Sequence, residues 1–383
     1  MANTLTGLTQ FVYDTVDVVS REMCGMIPSV YKNTAAEQVA KDQNVTYDIV
    51  PDATSYDITP SNAIPELDST TVGTGTMAIT KVKGVKFHWT GEDEKAVGMA
   101  VKNGIQNNKF AAAFRKLANE MEADLTALQA NACRAYAAHA TTPVTPFGTA
   151  GDFTDLSLAL KILKDNGAPL SELRSVINTT AGANLLGKQA NASVDFSGDP
   201  LRQGVLLDLF GAQVRESGAI VKTTSVGNNT GPYVVNGAHA VGATTVTLKT
   251  GTGTILAGDV ITLGTDTSVK YVVKTGLAAA GDITIAAPGL VNALTDGAAV
   301  VVVGTCARNM VFAQSAIHLL TRLPAMPEGG DMADDIMVVQ DPVSGIYFQI
   351  AQYKAYRARL IEVAVAWGVK TAKPAHLALL LGQ

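Results

Sequence analysis

The chain has 383 residues, enough for two or three domains at roughly 100 to 200 residues each. Only 16% of it is charged, 47% is hydrophobic and 35 positions are glycine, which excludes a disordered chain and argues against a heavily solvated, free-standing surface. The formal net charge of -5 lacks the basic excess of a dedicated nucleic-acid reader, and a lightly charged apolar chain points instead to surfaces covered by other subunits.

Residues 4–23 set Leu5, Leu8, Val12, Val16, Val19 and Met23 at steps of three and four, one apolar stripe of an amphipathic helix that Gly25 and Pro28 end. Such a stripe serves equally to join the chain's own core or to dock on a neighbour. The same stretch has no basic n-region and is interrupted by Asp14 and Asp17, so no signal peptide is expected. No run of about 18 uncharged apolar residues suggests a membrane span.

From Val45 to His88 the pattern shifts to short alternating runs around Pro51, Pro60, Pro65 and the segment TTVGTGT, which reads as two long strands joined by a loop. A protruding hairpin cannot bury both faces in its own domain, so its apolar positions need a partner; a hairpin folded flat on the core is the alternative. Thr90 then offers a helix N-cap ahead of Glu92, Asp93 and Glu94, carboxylates suited to the positive end of a helix dipole. With no histidine or further carboxylate at ligand spacing, this acid cluster reads as a helix start and not as a metal site.

Over 107–137, Phe110, Phe114, Leu117, Met121, Leu125, Leu128, Ala132 and Ala135 repeat at steps of four and three. This predicts one helix roughly 45 Å long, packed on a sheet, with Arg115, Lys116, Glu120 and Glu122 on a solvated or inter-subunit face. A second helix starts near Asp152 to Asp155, buries Leu156, Leu160 and Leu163, and ends at Gly167 and Pro169. A short strand from Arg174 to Asn178 and a helix opening at Thr179 or Thr180 follow, an α+β alternation. Residues 199–225 read as helix, turn and strand, bending at Gly204 and Gly211.

Composition breaks at Ser225 and recovers at Arg308. Between them lie five Val/Ile/Thr-rich runs (Val246 to Leu248, Val260 to Leu263, Val269 to Val273, Ile283 to Ile285, Val300 to Val303), with Tyr233 to Val235 as a sixth, and no Arg or Glu. Glycine turns separate them, including Gly258-Asp259, Gly281-Asp282 and Asp296-Gly297, so a small all-β barrel inserted into the α+β core is expected. After it come a helix-like FAQSAIHLLTR and the strands GIYFQIAQYKA and RLIEVAVAWGV.

Little in the chain marks catalysis. Cys24, Cys133 and Cys306 form no C-x-x-C pair, and His88, His139, His239, His318 and His376 have no ligand partner at the spacing metal sites use. There is no G-x-S-x-G elbow and no Walker A lysine, and GTGTILAG, Gly251 to Gly258, leads into a strand and reads as a turn. No catalytic, cofactor-binding or metal residue is expected, no cofactor is implied, and the chain is not expected to be an enzyme.

In its order of elements the chain resembles the major capsid (coat) proteins of tailed bacteriophages, with the HK97-like fold. The likeness lies in an N-terminal arm, a hairpin over 51–90 similar to the family's extended E-loop, and a long helix similar to its spine helix. It continues in Arg202-Gln203-Gly204-Val205 with Gly211 and Ser217, which is similar to the bend into the central strands of the A-domain. NMVFAQSAIHLLTRLPAMP, Asn309 to Pro327, resembles the family's return helix, and Ala366-Trp367-Gly368-Val369-Lys370 with Pro374 resembles its closing strand and turn. The β-segment resembles the insertion of podovirus-type coat proteins. The long charged loop of that subgroup has no counterpart, since this insertion holds only Lys249, Lys270, Lys274 and four Asp.

The resemblance implies an α+β HK97-like capsid fold divided into an arm (1–50), a hairpin (51–90), a core (91–224 and 308–383) and an inserted β-domain (225–307). It implies a protein that self-assembles as pentamers and hexamers into an icosahedral shell, encloses double-stranded DNA without reading its sequence, and lies in the virion after assembly in the host cytoplasm. Scaffolding, portal and decoration proteins are the implied partners, with no membrane. Candidate subunit-interface residues are Leu5, Leu8, Val12, Val16, Val19, Pro60, Pro65, Arg322, Pro324 and Pro327. The rival readings are an encapsulin-type nanocompartment of the same fold and a surface-binding, β-rich adhesin.

Overall fold

The computed structural model describes residues 24–49, 58, 60, 73–97, 99–137, 143–148, 153–189, 205–224, 226–341 and 344–382. The chain opens with strands β1 (Tyr31–Val39), β2 (Asn44–Ile49), β3 (Gly73–Ala78) and β4 (Lys81–Thr90). Helices α1 (Gly91–Val97) and α2 (Met99–Ala127) follow, then β5 (Arg134–Tyr136), α3 (Thr154–Asp165), β6 (Leu173–Ile177), α4 (Thr179–Gln189), β7 (Val205–Leu209) and β8 (Ala212–Glu216). The inserted segment carries β9 (Asn229–Gly231), β10 (Val234–Val235), β11 (Thr245–Lys249), β12 (Thr252–Gly253), β13 (Val260–Leu263), β14 (Lys270–Thr275), β15 (Gly281–Ile285) and β16 (Val300–Val302). The chain closes with β17 (Ala307–Ala313), β18 (Ile317–Pro324), β19 (Ala333–Gln340), β20 (Tyr347–Ala355), β21 (Ala358–Thr371) and β22 (Leu377–Gly382).

Helix α2 lies on a sheet ordered β1-β18-β21-β20-β19, with β4 on β21. Its stripe, Phe110, Phe114, Leu117, Met121 and Leu125, is buried against Phe348, Ile350, Ile361, Val363, Val365 and Trp367. Each such side chain contributes about 1.5–3 kcal/mol by leaving water. Edge-on ring pairs set the register: Phe87 on Phe110 at 5.1 Å and Phe114 on Phe348 at 5.0 Å. Asp124 adds a polar tie, accepting from Trp367 Nε1 at 2.8 Å and pairing with Lys81 Nζ at 2.6 Å. The helix runs from Met99 to Ala127, starting earlier and ending sooner than the predicted 107–137. Beyond a 3-10 turn, Leu128–Asn131, the alanine-thinned end becomes strand β5, because Ala135 pairs with Leu379 on one side and Lys270 on the other.

A second sheet, β5-β22-β17-β6-β8-β7, is covered by α3 and α4. Leu156, Leu160 and Leu163 are buried there as the spacing predicts, together with Leu185. Every residue of β17 and β22 is buried, as in strands covered on both faces. This corrects the helical reading of Asn309 to Pro327: the segment forms β17 and β18 around a 3-10 turn, Gln314–Ala316. Continuous apolar runs carry no period that separates strand from helix. Residues 205–216, read as helix then turn, form a β7–β8 hairpin. Phe210 and Gly211 make its two-residue turn, both at positive φ (55° and 78°), and a phenylalanine at the first turn position hides a signal that Asn or Asp would give.

The inserted segment does form a barrel. Strands β10-β11-β15-β14-β13-β16 pair in sequence, and the Val234–Ala299 bridge returns β16 to β10. Its interior holds Tyr233, Val235, Val246, Leu248, Ile261, Val273, Ile283 and Val300. Gly281-Asp282, read as a turn, opens strand β15 instead. Pairing of Tyr271 with Arg134 continues the barrel into the second sheet.

Candidate assembly interface

Among the described residues, strands β2 and β3 pair only with each other, from Asn44 opposite Ala78 to Ile49 opposite Gly73. A two-stranded ladder is marginal in water, so its root must be held from outside. An apolar cluster of Val39, Met77, Ile79, Leu320 and Ala366, flanked by Val45 and Tyr47, supplies one hold. A backbone bond supplies another, Thr80 N to Trp367 O at 3.1 Å, while Asp42 N to Ile79 O at 2.9 Å closes the ladder's own base. Gly368 lets this happen, since a Cβ there would run into the Ala78 carbonyl. The predicted hairpin is thereby corrected at its base: Lys81–Thr90 is not an arm of it but an edge strand paired with β21 from Trp367 to Ala358.

Over the root lies a polar-aromatic row. Tyr31, His318 and Lys370 are direct neighbours across β1, β18 and β21. His318 stacks with Tyr31 at 4.9 Å and with Tyr47 of the hairpin at 5.5 Å, and its Nε2 donates to Ser315 O at 3.1 Å. Lys370 Nζ donates to Thr76 O at 2.5 Å and sits 5.5 Å from the centre of the Tyr47 ring. Burial, and then the Lys370 charge, hold the His318 imidazole below its ordinary value, against the pull of the Ser315 carbonyl.

The start of the described chain is strapped to α2 by a buried carboxylate. Glu122, only 2% exposed, accepts from Met26 N at 2.7 Å, Ile27 N at 3.0 Å and Ser217 Oγ at 2.6 Å. Burial pushes its carboxyl up, while these donors pull the other way. Glu122 therefore does not belong to the solvated face of the helix where the sequence reading put it. Lys116 and Glu120 do, as an i,i+4 pair at 3.3 Å. Thr90 and Asp93 form the predicted cap, with Asp93 N donating to Thr90 Oγ1 at 3.1 Å and Thr90 N to Asp93 Oδ2 at 3.2 Å.

The nominated interface residues part company. Leu5, Leu8, Val12, Val16, Val19 and Pro65 lie outside the described residues, and Pro60 is exposed. Arg322 is 6% exposed and engaged within its own chain, donating to Asn33 O at 3.0 Å, Asn33 Oδ1 at 2.9 Å and Thr321 O at 2.9 Å. It stands on strand β18, not after a helix. Pro324 ends that strand opposite Val39, and Pro327 is exposed in the following turn.

Sequence reasoning missed an edge strand that has one strand partner among the described residues. Strand β19 ends its sheet with Ile336 and Val338 facing out, at 39% and 43% exposure. Near it Asp331 accepts from Tyr353 Oη at 2.7 Å, which pushes the phenol up to about 12. The 336/338 alternation is a visible strand signal, but the lack of a neighbour is not. Among the described residues, no group of three or more His, Cys, Asp or Glu is placed to hold a metal ion. An exposed edge, an incompletely supported ladder and outward apolar side chains are equipment for non-covalent association.

No protein-family model matches the chain, and no curated protein does. Solved structures do match. One is a chain of Mycobacterium phage Che8, 14% identical, covering 88% of this chain and 84% of that one at a TM-score of 0.42. Another, from the capsid structure of the Cyanophage P-SCSP1u, is 12% identical, covering 92% and 86% at 0.44. A third, from a virus-like particle of Pyrococcus furiosus, is 9% identical, covering 97% and 98% at 0.40.

Proposed function

We propose that this chain is the major capsid protein of a tailed bacteriophage, with an HK97-like fold, and that it assembles into an icosahedral shell around double-stranded DNA. The observation that carries the reading is the β2–β3 ladder: two strands that, among the described residues, pair only with each other, gripped by the body at one end and leading toward residues 50–72 at the other. Such a ladder has a use if a neighbouring subunit receives its far end. In this reading the tip, with Pro60 and Pro65, and the arm, with Leu5, Leu8, Val12, Val16 and Val19, clamp adjacent copies. The core spans 81–224 and 308–383, and the 225–307 barrel is a stabilising insertion. A net charge of -5 suits a shell through which DNA must move without sticking to the wall. Scaffolding, portal and decoration proteins are the partners expected during assembly in the host cytoplasm.

Electron microscopy of the concentrated, purified protein tests this. Uniform closed shells are the expected result; monodisperse monomers at high concentration overturn it. Genes for a packaging motor and portal beside this one separate the phage reading from a cargo compartment, which would neighbour an enzyme gene instead.

A further inference from the structure

We propose that the row Tyr31, His318 and Lys370, with Tyr47 lying over it, is a pH-sensitive hinge that grips the root of the β2–β3 hairpin while His318 is neutral and loosens it when His318 is protonated. The hinge is a property of the single subunit. Only its consequence, a hairpin freed to reposition between copies, rests on the shell reading.

His318 and Lys370 are directly paired across β18 and β21, and Tyr31 is the partner of His318 across β1. The described groups facing the imidazole are thus Tyr31 on β1, Tyr47 on β2, Lys370 on β21 and the Ser315 carbonyl on the turn before β18, with no carboxylate among them. With a neutral ring, both tyrosines rest on an uncharged aromatic surface and Nε2–H satisfies the Ser315 carbonyl. Lys370 spends its charge on Thr76 O and on the face of Tyr47.

Protonation places a second cation opposite the first in a partly buried site. Like charges directly across a ladder repel, and the Tyr47 face that could have accepted the new cation is already occupied by Lys370. The contacts broken by relieving that repulsion are those of Tyr47 and Thr76, one on each hairpin strand. Movement of the hairpin away from the body frees the Lys370 ammonium from Thr76 and Tyr47, so that it can swing into water and away from the imidazolium while β18 and β21 stay paired.

Burial and Lys370 lower the imidazole's affinity for a proton in the closed root. The contribution of the closed form is complete above the ordinary imidazole value of 6.5 and is lost as pH falls through the lowered one.

Hydrogen exchange of the full chain, kept dilute and unassembled, reads this directly. Between pH 7.5 and 5.0, after correction for intrinsic exchange, peptides covering 44–49 and 73–78 are expected to exchange faster. The rise is about tenfold for each unit by which closure lowers the imidazole's pKa. Peptides from β17 and β22 stay unchanged. His318→Gln removes the acid response, and Lys370→Met shrinks it while loosening the root at neutral pH. A wild-type hairpin that is flat across this range, or a His318→Gln chain with an undiminished response, overturns the hinge. Should His318→Gln fail to fold, a Lys370→Met response equal to wild type overturns it as well. Shells with a flat root remove the hinge and keep the shell; monomers with a responsive root do the reverse.

Discussion

The inserted barrel and the β2–β3 hairpin are both β-rich excursions from the body, and they dispose of their unpaired backbone in opposite ways. The barrel closes six strands on themselves, burying Tyr233, Val246, Ile261 and Ile283, and joins the body's sheet where β14 pairs with β5. The hairpin stops at two strands and is gripped at its root. Closure makes a module; incompleteness makes a joint. The difference is one between ladders closed into a barrel and a ladder left at two strands.

The largest separation between the two regions is expected from deletion. Removing residues 61–72 leaves the β2–β3 ladder in place and should abolish closed shells in micrographs while the subunit keeps its circular dichroism spectrum; normal shells from that chain break the comparison. Residues 224–308 expressed alone should, by contrast, melt cooperatively with a β-type spectrum.

Within the barrel, Tyr233→Ala removes a fully buried ring whose hydroxyl donates to Gly253 O at 2.8 Å. It should lower stability by about 4 kcal/mol in denaturant titration. Next in size is the link between barrel and body. Asp259, at the start of β13, accepts from Gly227 N at 2.9 Å and Leu256 N at 2.7 Å, and lies 3.9 Å from the Arg308 guanidinium. Arg308→Met leaves a buried carboxylate without its cation and should cost about 3 kcal/mol, measured the same way.

At the hairpin root the expected effect is smaller. Lys370→Met loses the Thr76 bond and the contact with the Tyr47 ring, worth together about 1–2 kcal/mol of local opening free energy by hydrogen exchange. Smallest of all is Lys161→Ala, which breaks an exposed i,i+4 pair with Asp165 at 3.0 Å. A change under about 0.5 kcal/mol, vanishing in high salt, is expected from thermal melts.

What the sequence by itself determined is local. The leucine stripe of α3, the aromatic stripe of α2, the Thr90–Asp93 cap and all six runs of the barrel follow from spacing, because each depends on residues a few positions apart. Where a run was apolar throughout, as in β17, burial on both faces erased the period and helix could not be told from strand. A two-stranded hairpin in the candidate interface was legible in the alternating runs from Val45, and the contacts at its root were not. Tertiary structure alone decided that β4 joins β21 some 270 residues away, that Glu122 is buried under the strap from Met26, that Arg322 turns inward to Asn33, and that His318 meets Lys370 beneath Tyr47. Those meetings are set by which strands lie side by side, and strand order is a property of the whole packed chain that no local pattern encodes.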